Sequence, residues 1–346
     1  MSSRYFLYGG WGHDNIGDDL ILDSYIEFLS TRIGVSDLVI VSVDPAETRR
    51  RMSSMRHAEI DVKVVSVVSA LASARSDDTL LVCGGGYING IWRYQCSRKL
   101  IHILLLARRI SNIGVHSVQI SSVDKRIHRL LCAKILQKAD WVTVRDQASA
   151  EVVKRLGATQ VITEDAISIS RGDSYRPSTS ADAGIVVNMT DVLRRGDHHE
   201  AEFDLAEWSA LEDYIRDCGM KSRIRVLCAA EYEYRYAVRN FPNADVIYCD
   251  SVDETISNIS SAKLLIATRM HLALAGIRAG IPTVAIAYNG KVRPTLTHLG
   301  FDKAISEVSN IHRVVEGGTP AFVCHDWSGR FEGHRTSLDS MLRKIK

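Results

Sequence analysis

The sequence predicts an α/β protein of two open, parallel-sheet domains meeting at a cleft. Three observations carry that expectation. Short apolar strand-like runs alternate with helix-period patterns along nearly the whole chain, the order that gives parallel sheets covered on both faces. At 346 residues the chain is long for one domain and comfortable for two. A stretch without periodicity, Arg171 to Ala183, rich in Gly, Asp, Ser, Pro and Thr, splits the alternation into two sets.

In the first set, Tyr5-Phe6-Leu7-Tyr8 reads as the opening strand. A helix follows over 19–33, with Leu20, Ile21, Tyr25 and Leu29 on one stripe. Leu38–Ser42, Val62–Val67 and Thr79–Cys83 are β-rich runs. Helical patterns at Lys99–Ile110, Arg126–Gln137 and Asp146–Leu156 enclose strands at Val115–Ile120 and Trp141–Arg145. The second set opens at Gly184–Asn188. It continues with a helix at Glu207–Cys218, strands at Ile224–Ala229 and Ala244–Tyr248, and a helix at Ser251–Ile259. The strand Leu264–Ala267, a helix from Arg269 and the strand Thr283–Ala287 complete it. These patterns place a first domain at 1–175, a second at 176–330, and a helical tail at 331–346 with room to pack back across the junction.

Composition narrows the function. Lys plus Arg is 43 against 41 acidic residues, a formal charge of +2, so neither nucleic acid nor a polybasic membrane anchor is indicated. No signal peptide or membrane-spanning run is visible, and the expected location is the cytoplasm. The seven cysteines lack any CxxC pair, which argues against zinc and a disulfide framework; Cys83, Cys228 and Cys249 sit in apolar runs and read as buried thiols. No HxxxH or HExxH spacing suggests a metal, and none is expected.

The most informative segment is Thr268-Arg269-Met270-His271. Thr268 reads as an N-cap, which puts Arg269 and His271 in the first helical turn; Gly280 and Pro282 stop the helix. A helix N-terminus already carries about +0.5 charge, so each cation there costs roughly 0.3–1 kcal/mol unless an anion sits beside it. A phosphate or carboxylate site follows from that placement, against the plainer reading of a solvent-facing Arg269.

Other candidates lie at strand ends. Gly9-Gly10-Trp11-Gly12-His13-Asp14-Asn15-Ile16-Gly17-Asp18-Asp19 follows the first strand but fits neither GxGxxG nor Walker A; Asp18 or Asp19 can cap the next helix. Cys83-Gly84-Gly85-Gly86-Tyr87 carries more glycine than a tight turn needs and reads as a close-approach ligand loop. Trp92, Arg93, Tyr94 and Arg98 either line a sugar or anion pocket or form a partly buried helix start. Arg145 is a second anion ligand candidate, Asp146 a helix cap, and Lys291 a cation near the cleft or a solvent-facing lysine.

Together Gly-Trp-Gly-His-Asp-Asn-Ile-Gly-Asp-Asp, Cys-Gly-Gly-Gly-Tyr, Val-Arg-Asp, Thr-Glu-Asp-Ala and Thr-Arg-Met-His…Gly-Ile-Pro…Ala-Tyr-Asn-Gly-Lys-Val resemble the polysaccharide pyruvyl transferase family from about residue 5 to 300. That resemblance implies a glycosyltransferase-B-like fold of two Rossmann-like domains. It implies transfer of the enolpyruvyl unit of phosphoenolpyruvate (PEP) to two hydroxyls of a sugar, forming a pyruvate ketal. PEP is then a co-substrate, with no cofactor, and the acceptor a lipid- or nucleotide-linked sugar, the former bringing peripheral membrane contact. The donor site would comprise Arg145, Arg269, His271, Lys291, Gly85 and Gly86, with His271 as general acid and Arg269 its catalytic partner. The acceptor would meet Asn15, Asp18, Trp92 and Arg93. The chain differs from the family's common pattern at Tyr87, where Asn is frequent, and at Gln119-Ile120-Ser121-Ser122, where glycines are frequent. The alternative is a nucleotide-sugar-dependent glycosyltransferase of the same architecture, with Glu231 or Glu233 near the diphosphate; a non-catalytic sugar- or anion-binding relative would be expected to lack Arg269 or His271.

Overall fold

The computed structural model describes residues 3–33, 37–53, 62–89, 93–121, 123, 125–171, 184–192, 205–221, 224–288, 292–316 and 321–344. The chain divides into two compact units. One comprises Met1–His13, Asp18–Ser170 and Phe331–Lys346, the other Asp14–Gly17 and Arg171–Arg330. Asp14–Gly17, expected within the first domain, belongs with the second unit, and the tail set apart at 331–346 belongs with the first. Most of the expected linker, 172–183, lies outside the described residues.

In the first unit the strands are β1 (Tyr5–Tyr8), β2 (Leu38–Ser42), β3 (Lys63–Ser66), β4 (Thr79–Val82), β5 (Gly85–Asn89), β6 (Asn112–Ser121), β7 (Trp141–Val144) and β8 (Val161–Ile162). Their order is β3-β2-β1-β4-β6-β7-β8, with β5 on β6, and every pairing is parallel. All residues of β1, β2 and β4 are buried, as a sheet covered on both faces requires. The helices are α1 (Ile16–Ser30), α2 (Pro45–Met52), α3 (Val67–Ser73), α4 (Arg93–Arg109), α5 (Arg126–Lys138) and α6 (Gln147–Arg155). The expected stripe of Leu20, Ile21, Tyr25 and Leu29 is fully buried, although α1 starts three residues earlier than its apolar pattern suggests. Phe6, Tyr8, Val39, Leu80, Leu100, Ile103 and Ile113 share one core.

The second unit has β9 (Ile185–Asn188), β10 (Ile224–Cys228), β11 (Asp245–Tyr248), β12 (Leu264–Ala267), β13 (Thr283–Ile286) and β14 (Ile305–Ser306), in the order β11-β10-β9-β12-β13-β14 and again parallel. Counted from β9 this is 3-2-1-4-5-6, the doubly wound Rossmann order. Its helices are α7 (Leu205–Lys221), α8 (Glu231–Asn240), α9 (Val252–Ser260), α10 (Met270–Arg278), α11 (Val292–His298), α12 (Ile311–Val315) and α13 (Trp327–Arg330). The tail forms α14 (Glu332–Lys344) within the first unit. Cys83, Cys228 and Cys249 are buried free thiols, as their apolar settings predict, and burial pushes each pKa up.

β6 carries one irregularity, next to His116. Its register with β7 slips between Val115 and Val118, and Ser117 takes a left-handed conformation (φ 53°), rare for a residue with a β-carbon. Ser117 is held there by its N–H donating to Thr143 Oγ1 (2.8 Å) and its hydroxyl donating to the Glu164 carbonyl (2.6 Å). β4 pairs with β6 as far as Val115 and β5 resumes the pairing at Val118.

Candidate functional site

In an open α/β sheet, ligands bind outside the carboxyl ends of the strands where the strand order reverses. In the second unit that point lies between β9 and β12, and Arg269 and His271 leave it. Asn188, the last residue of β9, fixes the junction. Its amide donates to the Leu227 carbonyl (2.9 Å), and its Oδ1 accepts from Thr268 Oγ1 (3.1 Å) and the Arg269 N–H (2.9 Å). Thr268 is therefore tied to β9 and is not the cap expected of it. Arg269 occupies the N-cap position of α10 with no side-chain cap, leaving His271 in the first turn.

Arg269 has its counter-charge inside the protein. Its Nε donates to Glu233 Oε1 at 2.7 Å, and its terminal nitrogen donates to the Tyr232 hydroxyl. The arginine side chain is 15% exposed and Glu233 is fully buried. Glu233 Oε2 also accepts from the Ala229 N–H (2.8 Å). The electrostatic cost inferred for a cation at this terminus is thus met by an internal carboxylate, which corrects the inference that Arg269 by itself demands a bound anion. Glu233 serves here as the partner that aims the guanidinium. No local pattern signals that pairing, since Glu233 stands on α8, 36 residues before Arg269.

His271 borders the Asp14–Gly17 segment. A Cβ added to Gly17 would lie 3.0 Å from His271 Nδ1 and 3.3 Å from Asn15 Oδ1, so a side chain there would push the imidazole aside by a few tenths of an ångström. Asn15 Oδ1 accepts from the Gly17 N–H (3.3 Å) at the start of α1. Asp14 anchors the segment, accepting from the Glu231 N–H (2.5 Å) and the Tyr248 hydroxyl (2.6 Å), while the Ile16 N–H donates to the Ala229 carbonyl (3.1 Å). Of the expected acceptor residues, Asn15 accordingly sits beside His271.

The remaining candidates that the structure describes lie in the first unit. Arg145 is buried and donates to Asp165 Oδ2 and to Gln119 Oε1, both at 2.7 Å. Gly86 faces the same pair, its Cβ position 3.0 Å from Gln119 Oε1 and 3.8 Å from an Arg145 nitrogen. The triple glycine is only partly a loop: Gly84 turns the chain, and Gly85 (φ 135°) opens β5. Asp18 lies in the first turn of α1, where a carboxylate suits the dipole, but not at the cap position expected of it. It is wedged by the glycines, its Cγ 2.7 Å from a Cβ placed on Gly10 and its Oδ1 3.8 Å from one placed on Gly85. Asp19 is not a cap either; it pairs with buried Arg51 at 2.9 Å. Asp146 does cap α6, accepting from the Ser149 N–H (2.7 Å). Trp92 and Lys291 lie outside the described residues, as does the side chain of Arg93, which opens α4.

A buried polar chain runs behind the glycine turn. The Gly84 N–H donates to Tyr25 Oη (2.9 Å), which bonds His116 Nδ1 (2.6 Å). His116 Nε2 meets His334 Nε2, and His334 Nδ1 meets Ser168 Oγ (2.6 Å), whose hydroxyl donates to the Asp165 carbonyl (2.7 Å). The β6 bulge sits at His116, and the chain ends on the residue that binds Arg145. Burial drives the pKa of His116 far down and that of His334 to about 4, so both rings are neutral near pH 7. His116 is accordingly a structural group. Among the described residues, no three His, Cys, Asp or Glu side chains are grouped to hold a metal, and no helix is long and apolar enough to cross a membrane.

Solved structures with the same arrangement share little sequence with this chain. The Anabaena protein HepE, solved with UDP and glucose, superposes with a TM-score of 0.60 at 10% identity over 99% of both chains. An S. aureus MnaA–UDP structure gives 0.56 at 11% identity, covering 99% of this chain and 98% of its own. The UDP-GlcNAc 2-epimerase of Methanocaldococcus jannaschii gives 0.55 at 10% identity, covering 97% and 100%. At such identities the likeness establishes the fold: two Rossmann-like domains of the glycosyltransferase-B type. No curated protein sequence matches significantly. The sequence profile of the family described as polysaccharide pyruvyl transferase matches residues 15–290, a span running from Asn15 through both paired arginines and His271. The chain belongs to the polysaccharide pyruvyl transferase family.

Proposed function

We propose that the protein transfers the enolpyruvyl unit of PEP to two hydroxyls of one sugar, releasing phosphate and leaving a cyclic pyruvate ketal. The observation that supports this most is the seating of His271 at the β12–α10 junction, against Asn15 and two residues beyond an arginine held by Glu233, Tyr232 and Asn188. The uncapped first turn of α10 adds backbone N–H donors, which favour an oxyanion.

In this reading the imidazolium of His271 protonates the methylene carbon of PEP, and the adjacent carbon becomes an oxocarbenium-like centre. One sugar hydroxyl oxygen bonds that carbon, the bond to the phosphate oxygen breaks, and the second hydroxyl closes the ketal. Of the two hydroxyl protons lost, one restores His271 and the other leaves with phosphate. Arg269 and the α10 amides hold the donor's oxyanions; Asn15 meets an acceptor hydroxyl. Arg145 acts through Gln119 and Gly86, with Asp165 as its buried counter-ion. Positive charge comes from the protein, so no cofactor is invoked and turnover is expected to survive EDTA. The acceptor is a lipid- or nucleotide-linked sugar, and PEP places the reaction in the cytoplasm.

Incubation with PEP and a panel of nucleotide- and lipid-linked sugars tests this. Phosphate release together with a new ketal methyl signal in the NMR spectrum is the expected result. Release of a nucleotide from a sugar donor, with PEP inert, would replace the reading with a glycosyltransferase.

A further inference from the structure

The first unit carries a group of hydrogen-bond donors that the chemistry above does not use. Lys99 on α4 is 4% exposed, and its ammonium, 5.0 Å from the centre of the Tyr87 ring, makes no hydrogen bond among the described residues. Arg98 Nε and His13 Nε2 are buried atoms without a hydrogen-bond partner among those residues. Two orphaned buried nitrogens beside a lysine whose printed contact is an aromatic ring are uncommon in a finished core.

Their location is specific. His13 ends the loop after β1, and Arg98 and Lys99 lie on the helix that follows β5. The first sheet reverses its strand order between β1 and β4, so its ligand-binding edge lies where those two strands end. The Gly84–Gly86 turn and Asp18 share that edge. The groups act on one another: burial first, then Lys99 and Arg98, push the His13 pKa down to about 4 against the opposing pull of Asp18. Burial also lowers Lys99, with Asp18 opposing and Arg98 adding to the fall. Two fixed cations therefore face one carboxylate, with a neutral imidazole beside them.

We infer that this edge of the first sheet is an oxyanion subsite in which Lys99, Arg98 and His13 take a phosphate or carboxylate group of a substrate. An incoming oxyanion would accept from the Lys99 ammonium, from Arg98 Nε–H and from His13 Nε2 in its protonated form, and would balance the surplus charge. Only the identity of its carrier rests on the proposed function: the group belongs to PEP or to the phosphates of a linked acceptor sugar.

Calorimetric titration with PEP, UDP-glucose, inorganic diphosphate and uncharged glucose separates these sources. Lys99→Met should lose at least about tenfold in affinity for diphosphate and for whichever of PEP or UDP-glucose occupies the subsite, with glucose unaffected. Removing a buried charge should leave the melting temperature unchanged or raised. Arg98→Gln, at a half-buried position, gives an independent reading if Lys99→Met folds poorly. The His13 ring signal should also titrate at higher pH once diphosphate is bound. If no oxyanion binds the wild type, or both variants bind all of them within about twofold of it, the subsite is refuted. If diphosphate binds through Lys99 while PEP does not bind at all, the subsite stands and the PEP reading falls. If PEP binds and turns over with Lys99 replaced at no loss for any probe, the reverse holds.

Discussion

His116 Nε2 lies 3.1 Å from His334 Nε2, with the two rings stacked 5.2 Å apart and 20° from parallel. The neighbours settle every proton between them. The Gly84 N–H donates to Tyr25 Oη, which lies 2.6 Å from His116 Nδ1 and 3.4 Å from the His116 carbonyl, so the far end of the pair decides which acceptor it serves. The Asp165 carbonyl can only accept, so Ser168 donates to it and accepts from His334 Nδ1–H. His116 must then carry its proton on Nε2 and His334 must receive it. A second proton on either ring would set two donors face to face or reverse one of these bonds.

Stability should therefore fall in acid by a route that His334 governs. The folded pKa of His334, about 4, lies below its ordinary 6.5, so the unfolded chain binds more protons between those values. The contribution is fully present above pH 6.5 and declines as the pH drops toward 4. His334→Phe should be less stable than wild type at pH 7.5, having stranded the His116 proton, yet lose less between pH 7 and 5. Urea unfolding at the two pH values measures this; parallel pH profiles for the two proteins would count against the neutral pair.

Glu233 and Arg269 should separate folding from binding. Arg269→Ala leaves a buried carboxylate without its partner and is expected to cost about 3–5 kcal/mol of stability. Adding Glu233→Gln to that variant removes the stranded charge and should restore much of the stability, while PEP affinity stays low. Recovery of PEP affinity in the double variant would show that Arg269 serves only to neutralise Glu233.

His271→Gln should keep the fold and lose about 10²–10⁴ in kcat, the span of a missing general acid. PEP affinity should change little, because the α10 amides and Arg269 remain. Near-normal kcat would move proton donation to another group, and the buried neutral His116 is a poor substitute.

Gly17→Ala sets helix propensity against the site. Alanine at this early position of α1 favours the helix by up to about 1 kcal/mol, but its methyl would stand 3.0 Å from His271 Nδ1. Unchanged or higher melting temperature with reduced kcat is the expected pair of results. Full activity would mean that the imbalance at His271 is absorbed without consequence for proton transfer.

Periodicity and strand-end composition were enough to read the two doubly wound sheets, because β1, β4 and β12 are apolar runs set against helices with clean stripes. The same logic found the β12–α10 junction, since Thr-Arg-Met-His follows an apolar strand. What it missed is side-chain pairing across sequence distance. Thr268 looks like a cap until Asn188, 80 residues earlier, is seen to hold it. Arg269 looks uncompensated until Glu233 is placed under it. Arg145 looks unpaired until Asp165 is found 2.7 Å away. His334 gave no local signal at all: nothing in a polar tail foretells a partner on a bulged strand 218 residues upstream.

The first unit is interrupted in the chain by nearly all of the second, and its closing helix, α14, is synthesised only after it. On a translating ribosome the β1–β8 sheet can form while the second unit is still being made. Until His334 emerges, His116 Nε2–H lacks its acceptor and Ser168 Oγ the donor it will accept from, and Arg335 cannot reach the Ser168 and Ser170 carbonyls it will later bond. The nascent first unit is thus a sheet with an open polar seam, and a fragment stopped at Ser170 would preserve that state. Completion of the glycine turn's support is in this sense a late, long-range event, and the order of synthesis makes it one of the last steps of folding.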